Sequence, residues 1–80
     1  MNDEIREAKA KRLLEDDLLK EAFDTLEKDI MDTWVASGVD DGRARETCWL
    51  SIRLLSRIKV HLTSIVETGE MAKKLQEYQL

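Results

Sequence analysis

SGVDDG, residues 37 to 42, is the stretch of this 80-residue chain where two glycines and two aspartates collect between segments of periodic apolar spacing. Gly38 can take the left-handed conformation that ends a helix, and Asp40 or Asp41 can cap the amides that open the next, with Gly42 just beyond. A tight helix-to-helix turn is therefore expected at 38–42, near the middle of the chain. Arms of about 3–37 and 43–77 would fold back on each other as an antiparallel helical hairpin, each on the order of 50 Å long if unbroken. Antiparallel pairing sets side by side those residues whose numbers add to about 80, such as Leu26 with Leu54 and Leu55, or Leu18 with Leu62.

Composition agrees with two long helices. The chain has no proline, three glycines and four aromatic residues, and 38% of it is charged. A mixture rich in Leu, Glu, Lys, Arg and Ala belongs to helices rather than sheets, so the fold class is expected to be all-α, in a single small domain.

In the first arm Leu19, Phe23, Leu26, Ile30 and Trp34 fall on one helical stripe, with Ala22 beside them. Ile5 and Ala8 extend that stripe only on extrapolation, because Arg12 and Asp16 would fall in it and Leu13 and Leu14 fall off it. The phase slips within LLEDDLL, residues 13 to 19, which predicts one of three things: a straight rod, a kink, or a separate short N-terminal helix with Asp16 or Asp17 capping the next. In the second arm Leu55, Ile58, Leu62, Ile65, Gly69 and Ala72 alternate steps of three and four, the heptad spacing of a coiled-coil seam. Gly69 has two readings: it lets another backbone approach closely, or it ends the helix. The i,i+4 pair Glu70 and Lys74 favours continuation.

The second arm is more apolar than one neighbour requires. Its apolar arc runs from Leu50 through Leu54, Ile58 and Leu55 to Cys48 and Ile52, roughly half the circumference against the ~100° that faces a single partner helix. A two-helix hairpin of this length also has little core with which to offset the entropy of ordering. Leu50, Leu54, Leu55, Ile58, Leu62 and Ile65 are therefore expected to mediate self-association into a homodimer or larger helical bundle.

Charge is divided between the arms. Residues 17–37 carry six acids against Lys20 and Lys28, a net −4; residues 43–66 carry Arg43, Arg45, Arg53, Arg57 and Lys59 against Glu46, a net +4. One reading is that these charges flank the hairpin seam and steer the pairing. The other starts from the row Trp49, Arg53, Ser56 and Val60, which lies away from the heptad seam with Arg45 and Arg57 beside it. Tryptophan among arginines is the composition of a protein hot spot or of a nucleic-acid contact. Arg45, Trp49, Arg53, Arg57 and Val60 thus form the expected partner face. Trp34 is expected to lock the turn by packing near Cys48 and Glu46.

Several functions find no support in the residues. The overall charge of −4 is unlike that of a general polyanion binder. Cys48 has no second cysteine with which to bridge, and no run of residues is apolar enough for a membrane span or, in MNDEIREAKAKR, for a signal peptide; a soluble cytoplasmic protein is expected. His61 stands thirteen residues from Cys48, so the two cannot share metal-ligand spacing. Ser51 or Ser64 with His61 and a carboxylate would need a turn to expose the nucleophile. The acids Asp24, Glu27 and Asp32 lack the glycine-bearing loop of a cation site. No catalytic, metal, cofactor or small-molecule site is expected.

EAFDTLEKDIMDTW (21–34) and RETCWLSIRLLSRIKVHLTSIVETGEMA (45–72) resemble, in their order and in the Asp-rich turn between two tryptophan-bearing helices, small helical proteins of tailed bacteriophages and prophages encoded near head-assembly and DNA-packaging genes. The resemblance implies a setting, the host cytoplasm or the assembling virion, and no residue-by-residue activity. The expected function is that of a non-enzymatic oligomeric protein working through protein contacts, as an accessory or structural factor in head assembly or packaging. The alternatives are a nucleic-acid-binding module using the Arg/Trp face and a phage-encoded inhibitor of a host protein.

Overall fold

Residues 2–78 are described by a computed structural model and form three helices: α1 (Asp3–Glu15), α2 (Asp17–Ala36) and α3 (Gly42–Tyr78). No strand occurs among the described residues, and none of these helices is long and apolar enough to cross a membrane. The chain reverses once, at 37–41. Helix α2 lies along the N-terminal half of α3 and α1 along its C-terminal half, giving a slab 62 Å long and only 23 by 17 Å across.

The first arm is thus two helices and not one rod, and Asp16 is the reason. Its backbone leaves the helical region (ψ 120°), its N–H donates to the Leu13 carbonyl (3.2 Å), and its Oδ1 accepts the Leu19 N–H (2.8 Å). One residue therefore closes α1 with its backbone N–H and opens α2 with its side chain. The other end of α1 is capped by Asn2, whose Oδ1 accepts the Ile5 N–H at 2.8 Å, with Asp3 and Glu4 placed favourably in the first turn.

The break re-phases the chain. Had the α2 stripe continued unbroken, Ile5 and Ala8 would face α3; instead α1 buries Glu7 and Ala10, and Ile5 is exposed. Along α2 the expected stripe holds except at Leu26, which is exposed: Leu19, Phe23, Ile30 and Trp34 are half-buried against α3, whereas Leu18, expected near Leu62, is 72% exposed and Leu19 lines the groove beside Leu62 in its place.

The turn forms where expected, and one of the two aspartates caps α3 as expected, but α2 ends by other means. Gly38 does not adopt a left-handed conformation; no residue with positive φ occurs among those described. Ser37 ends α2 in extended geometry (φ −69°, ψ 144°), and both its N–H (3.2 Å) and its hydroxyl (2.6 Å) donate to the Trp34 carbonyl. Asp41 rather than Asp40 caps α3, its Oδ1 accepting the Ala44 N–H at 3.1 Å.

Gly69 settles as the close-approach reading. Helix α3 runs through it to Tyr78, and a Cβ built there would overlap the Glu7 Cβ and lie 2.8 Å from the Asp3 carbonyl oxygen. Only a residue without a side chain lets α1 sit this near. Beside it, the buried Glu7 carboxylate is held by the Lys73 ammonium (3.1 Å to Oε1, 3.0 Å to Oε2) and by Lys11 (3.1 Å to Oε1), which also reaches Glu70 at 3.5 Å. The aligned hydrogen bond goes to Oε1, and Oε2 is met by charge alone. The hydrogen bond from Lys73, with that from Lys11, holds the Glu7 carboxyl below its ordinary pKa against the opposing effect of burial.

Candidate protein-interaction surface

Large side chains keep α2 away from α3, and open grooves run along both sides of their seam. On one side Leu26, Asp29, Ile30 and Thr33 of α2 face Thr47, Cys48 and Ser51 of α3; on the other Ile30, Met31 and Trp34 face Cys48, Trp49 and Ile52. Cys48, in contact with both grooves, is the one residue of this half that is buried.

The six residues expected to self-associate divide into two sets. Leu55, Leu62 and Ile65 are half-buried, and Leu62 lines a groove with Leu14, Leu19 and Phe23, so it serves the seam within the chain. Leu50, Leu54 and Ile58 are exposed by 53%, 60% and 43%. Spaced four apart, they make a continuous outer stripe two turns long, and Leu26, 48% exposed, stands on the facing arm. Around the helix from this stripe toward the seam, Thr47, Ser51, Leu55, Leu62 and Ile65 carry no charge. Leu54 therefore points away from the arm it was expected to meet.

The expected partner face is also divided. Arg45 is drawn into the turn: its guanidinium lies 3.8 Å from the centre of the Trp34 ring and donates to the Ser37 hydroxyl at 3.1 Å. Trp34 lines the groove with Cys48 as expected, but the group covering its ring is Arg45, not Glu46. Trp49, Arg53, Arg57 and Val60 remain on the surface, with the Arg53 guanidinium 5.6 Å from the centre of the Trp49 ring. These two contacts differ in kind. The first pins a half-buried ring to the turn, while the second keeps an exposed ring and cation together on the outside.

Steering by charge along the seam accounts for little of the pairing. Between α2 and α3 one ion pair forms among the described residues, Lys59 to Glu27 at 2.7 Å, with the Lys59 ammonium also 5.2 Å from the Phe23 ring. Lys28 turns instead to Asp32 of its own helix (2.9 Å), and that hydrogen bond raises the pKa of Lys28. Arg43, Arg45, Arg53 and Arg57 reach no carboxylate, nor do Asp17, Glu21, Asp24 and Asp29 reach any cation within ion-pair distance among the described residues.

The hydroxyls of Ser51 and Ser64 donate to backbone carbonyls of their own helix, Thr47 at 2.8 Å and His61 at 2.6 Å, which orients neither as a nucleophile. No three His, Cys, Asp or Glu side chains gather as a ligand set among the described residues. The Glu7, Lys11, Lys73 and Gly69 cluster was missed from the sequence although the pairing rule points at it, since Glu7 and Lys73 are opposite one another under that rule. A charged residue on a buried stripe is discounted by any search for apolar periodicity. No known protein family matches the chain, and neither a curated protein nor a solved structure shows significant similarity to it.

Proposed function

We propose that this protein acts by contact with other protein surfaces rather than by catalysis, and that its first partner is a second copy of itself joined along α3. The observation that carries this reading is the exposure of Leu50, Leu54 and Ile58 in a folded chain whose own N-terminal arm is already in place. Covering each half-exposed side chain is worth about 1 kcal/mol, or on the order of 6 kcal/mol for the six contributed by two copies. That sum corresponds to a dissociation constant of about tens of micromolar at best, and the cost of association weakens the pairing further unless Leu26 and its neighbours add to it. The resemblance to phage proteins gives the reading a setting, an accessory or structural part in head assembly or DNA packaging inside the host cell or forming particle.

Sedimentation velocity over a dilution series tests it. At high salt, where contacts between charged surfaces are screened, the expected result is a mass that rises with concentration for the parent chain and stays at one copy for Leu54→Glu, with equal helicity by circular dichroism. A single-copy mass for the parent at about 1 mM, with full helicity, would overturn the reading.

A further inference from the structure

Two exposed charged rows have no partner within the chain, and they complement one another. On α3, Arg53 and Arg57 stand one turn apart beside Trp49 and Val60. Turning ~100° per residue from the seam residues Cys48, Ile52 and Leu55 places both guanidiniums on the outer side of the helix. On α2, Asp17, Glu21 and Asp24 recur at i, i+4 and i+7, all exposed; Asp17 and Glu21 turn away from Phe23 and Ile30, and Asp24 stands at the rim of the groove that Phe23, Lys59 and Leu62 line. Two rows that face outward from opposite arms of one hairpin cannot meet each other inside it.

We propose that the Trp49, Arg53, Arg57 row of one copy receives the Asp17, Glu21, Asp24 row of α2 from another copy. The inference rests on the reading of this chain as a self-associating protein; the arginine row adjoins the leucine stripe, with Arg57 and Val60 sharing a groove with Leu54 and Ile58, but it is centred outside that stripe on Trp49 and Arg53. The two rows face outward from opposite arms, so one contact engages only one row of each copy and is head-to-tail. After the first contact one copy keeps its acidic row free and the other its basic row, and growth continues into a ring or a row of copies. The Leu50, Leu54, Ile58 stripe joins like to like and closes after two copies; the charged rows link such pairs to one another.

Charge balance selects this occupant over nucleic acid. The complementary carboxylates are carried by the same chain, at a pitch matching the arginines, while the whole molecule has a net charge of −4 that opposes approach to a polyanion. The flanking surfaces, Trp49 and Val60 on one side and Leu18 on the other, are exposed too and supply apolar contact around the charges.

A charge exchange tests the contact. Arg53→Glu with Arg57→Glu, and separately Glu21→Lys with Asp24→Lys, are each compared with the parent by light scattering at low and high salt. In the parent, species larger than two copies are expected at low salt and dissolve at high salt, while the Leu-stripe pair survives. Each double variant alone is expected to lose the larger species, with at least about a tenfold fall in their association constant. Mixing the two variants in equal amounts is expected to restore them, because every reversed row then meets its complement. Arg53→Gln with Arg57→Gln, which introduces no repulsion, should show the same loss with unchanged helicity.

Larger species that persist in either double variant would overturn the proposal, as would a mixture that fails to restore them. Retention of a DNA oligonucleotide by the parent, lost on arginine reversal while self-association is untouched, would assign the row to nucleic acid and overturn it as well. A parent that never passes two copies at low salt would sink this contact and leave the leucine stripe standing.

Discussion

The two halves of the slab are closed in different ways. Against the C-terminal half of α3, helix α1 lays Ala10 and Glu7 over Gly69, residues small enough or polar enough that the helices touch and seal the joint with an ion cluster. Against the N-terminal half, α2 lays Phe23, Ile30 and Trp34, side chains large enough to hold the helices apart, and only Cys48 is buried between them. The comparison teaches that apolar size alone does not make a closed joint in a two-layer slab. Large side chains supply more surface to bury, but with a single neighbour they prop the helices open, and their full burial requires a third element. The exposed Leu50, Leu54 and Ile58 lie on the propped half, where that element would rest.

The sharpest way to break this contrast is to make the closed half resemble the open one. Alanine at a helical glycine ordinarily gains about 1 kcal/mol of helix propensity. At Gly69 the added Cβ would overlap Glu7 and press on the Asp3 backbone, a conflict that no rotamer relieves. Gly69→Val is expected to cost about 3 kcal/mol of α1 docking by overpacking. In hydrogen exchange the α1 amides should lose protection while α2 and α3 keep theirs. Undisturbed α1 protection would show that the joint is looser than its geometry.

The next largest effect concerns the open half. If a second copy covers it, α2 and the adjoining part of α3 should gain hydrogen-exchange protection as the protein is concentrated, and α1 should not. At thirty times the dissociation constant the gain is about 2 kcal/mol. Equal gains in all three helices would mean that association stabilises the slab as a whole and that the two halves do not differ in what they lack.

How far the sequence could anticipate this contrast depends on what each half is built from. The open half was legible because its seam is apolar: the 19, 23, 26, 30, 34 stripe and the greasy arc around Leu54 are patterns of period 3.6. The turn was legible in position and in the Asp41 cap of α3, but not in how α2 ends, since Ser37 closes it without the left-handed glycine that Gly38 suggested. Of the closed half, the α3 side was legible in Gly69, where close approach is one of two readings, and the α1 side was hidden. The buried stripe of this half reads Glu7, Ala10 and Gly69, one charged and two nearly featureless residues, and its meaning appears only when the arms are laid side by side. Arg45 was misassigned for a related reason. Nothing in a list of spaced residues distinguishes a guanidinium stacked on Trp34 of its own chain from one offered to a partner.

A smaller effect is expected from the hinge between the halves. Asp16 is what allows α1 and α2 to present different faces to α3, and Asp16→Ala removes the cap on the Leu19 amide at a cost of about 1 kcal/mol. Asp41→Ala removes the corresponding cap of α3, with the same expected magnitude. Thermal melts followed by circular dichroism would measure both. The Asp16 variant should in addition loosen α1 more than α2, because a straight continuation of α2 would turn Ile5 and Ala8 toward Gly69 in place of Glu7 and Ala10.

The smallest expected effect is one of acidity, and it separates the halves most cleanly. Glu7 is held below its ordinary pKa by Lys73 first and then by Lys11, so the folded chain binds its proton less readily than the unfolded chain does. The stabilisation this provides is fully present above the unfolded-state value of about 4.3 and is lost as pH falls through the lower folded value. Protonation also takes the negative charge from between two ammonium groups, leaving Lys11 and Lys73 to repel across the joint. Acid should therefore loosen α1 before α2, whose contact with α3 relies on apolar side chains and one partly exposed ion pair. In a Glu7→Gln variant the acid step specific to α1 should disappear, with α1 already less protected at neutral pH. Loss of α1 and α2 protection at one common pH, unchanged by that substitution, would place the acid sensitivity elsewhere and remove the electrostatic half of the contrast.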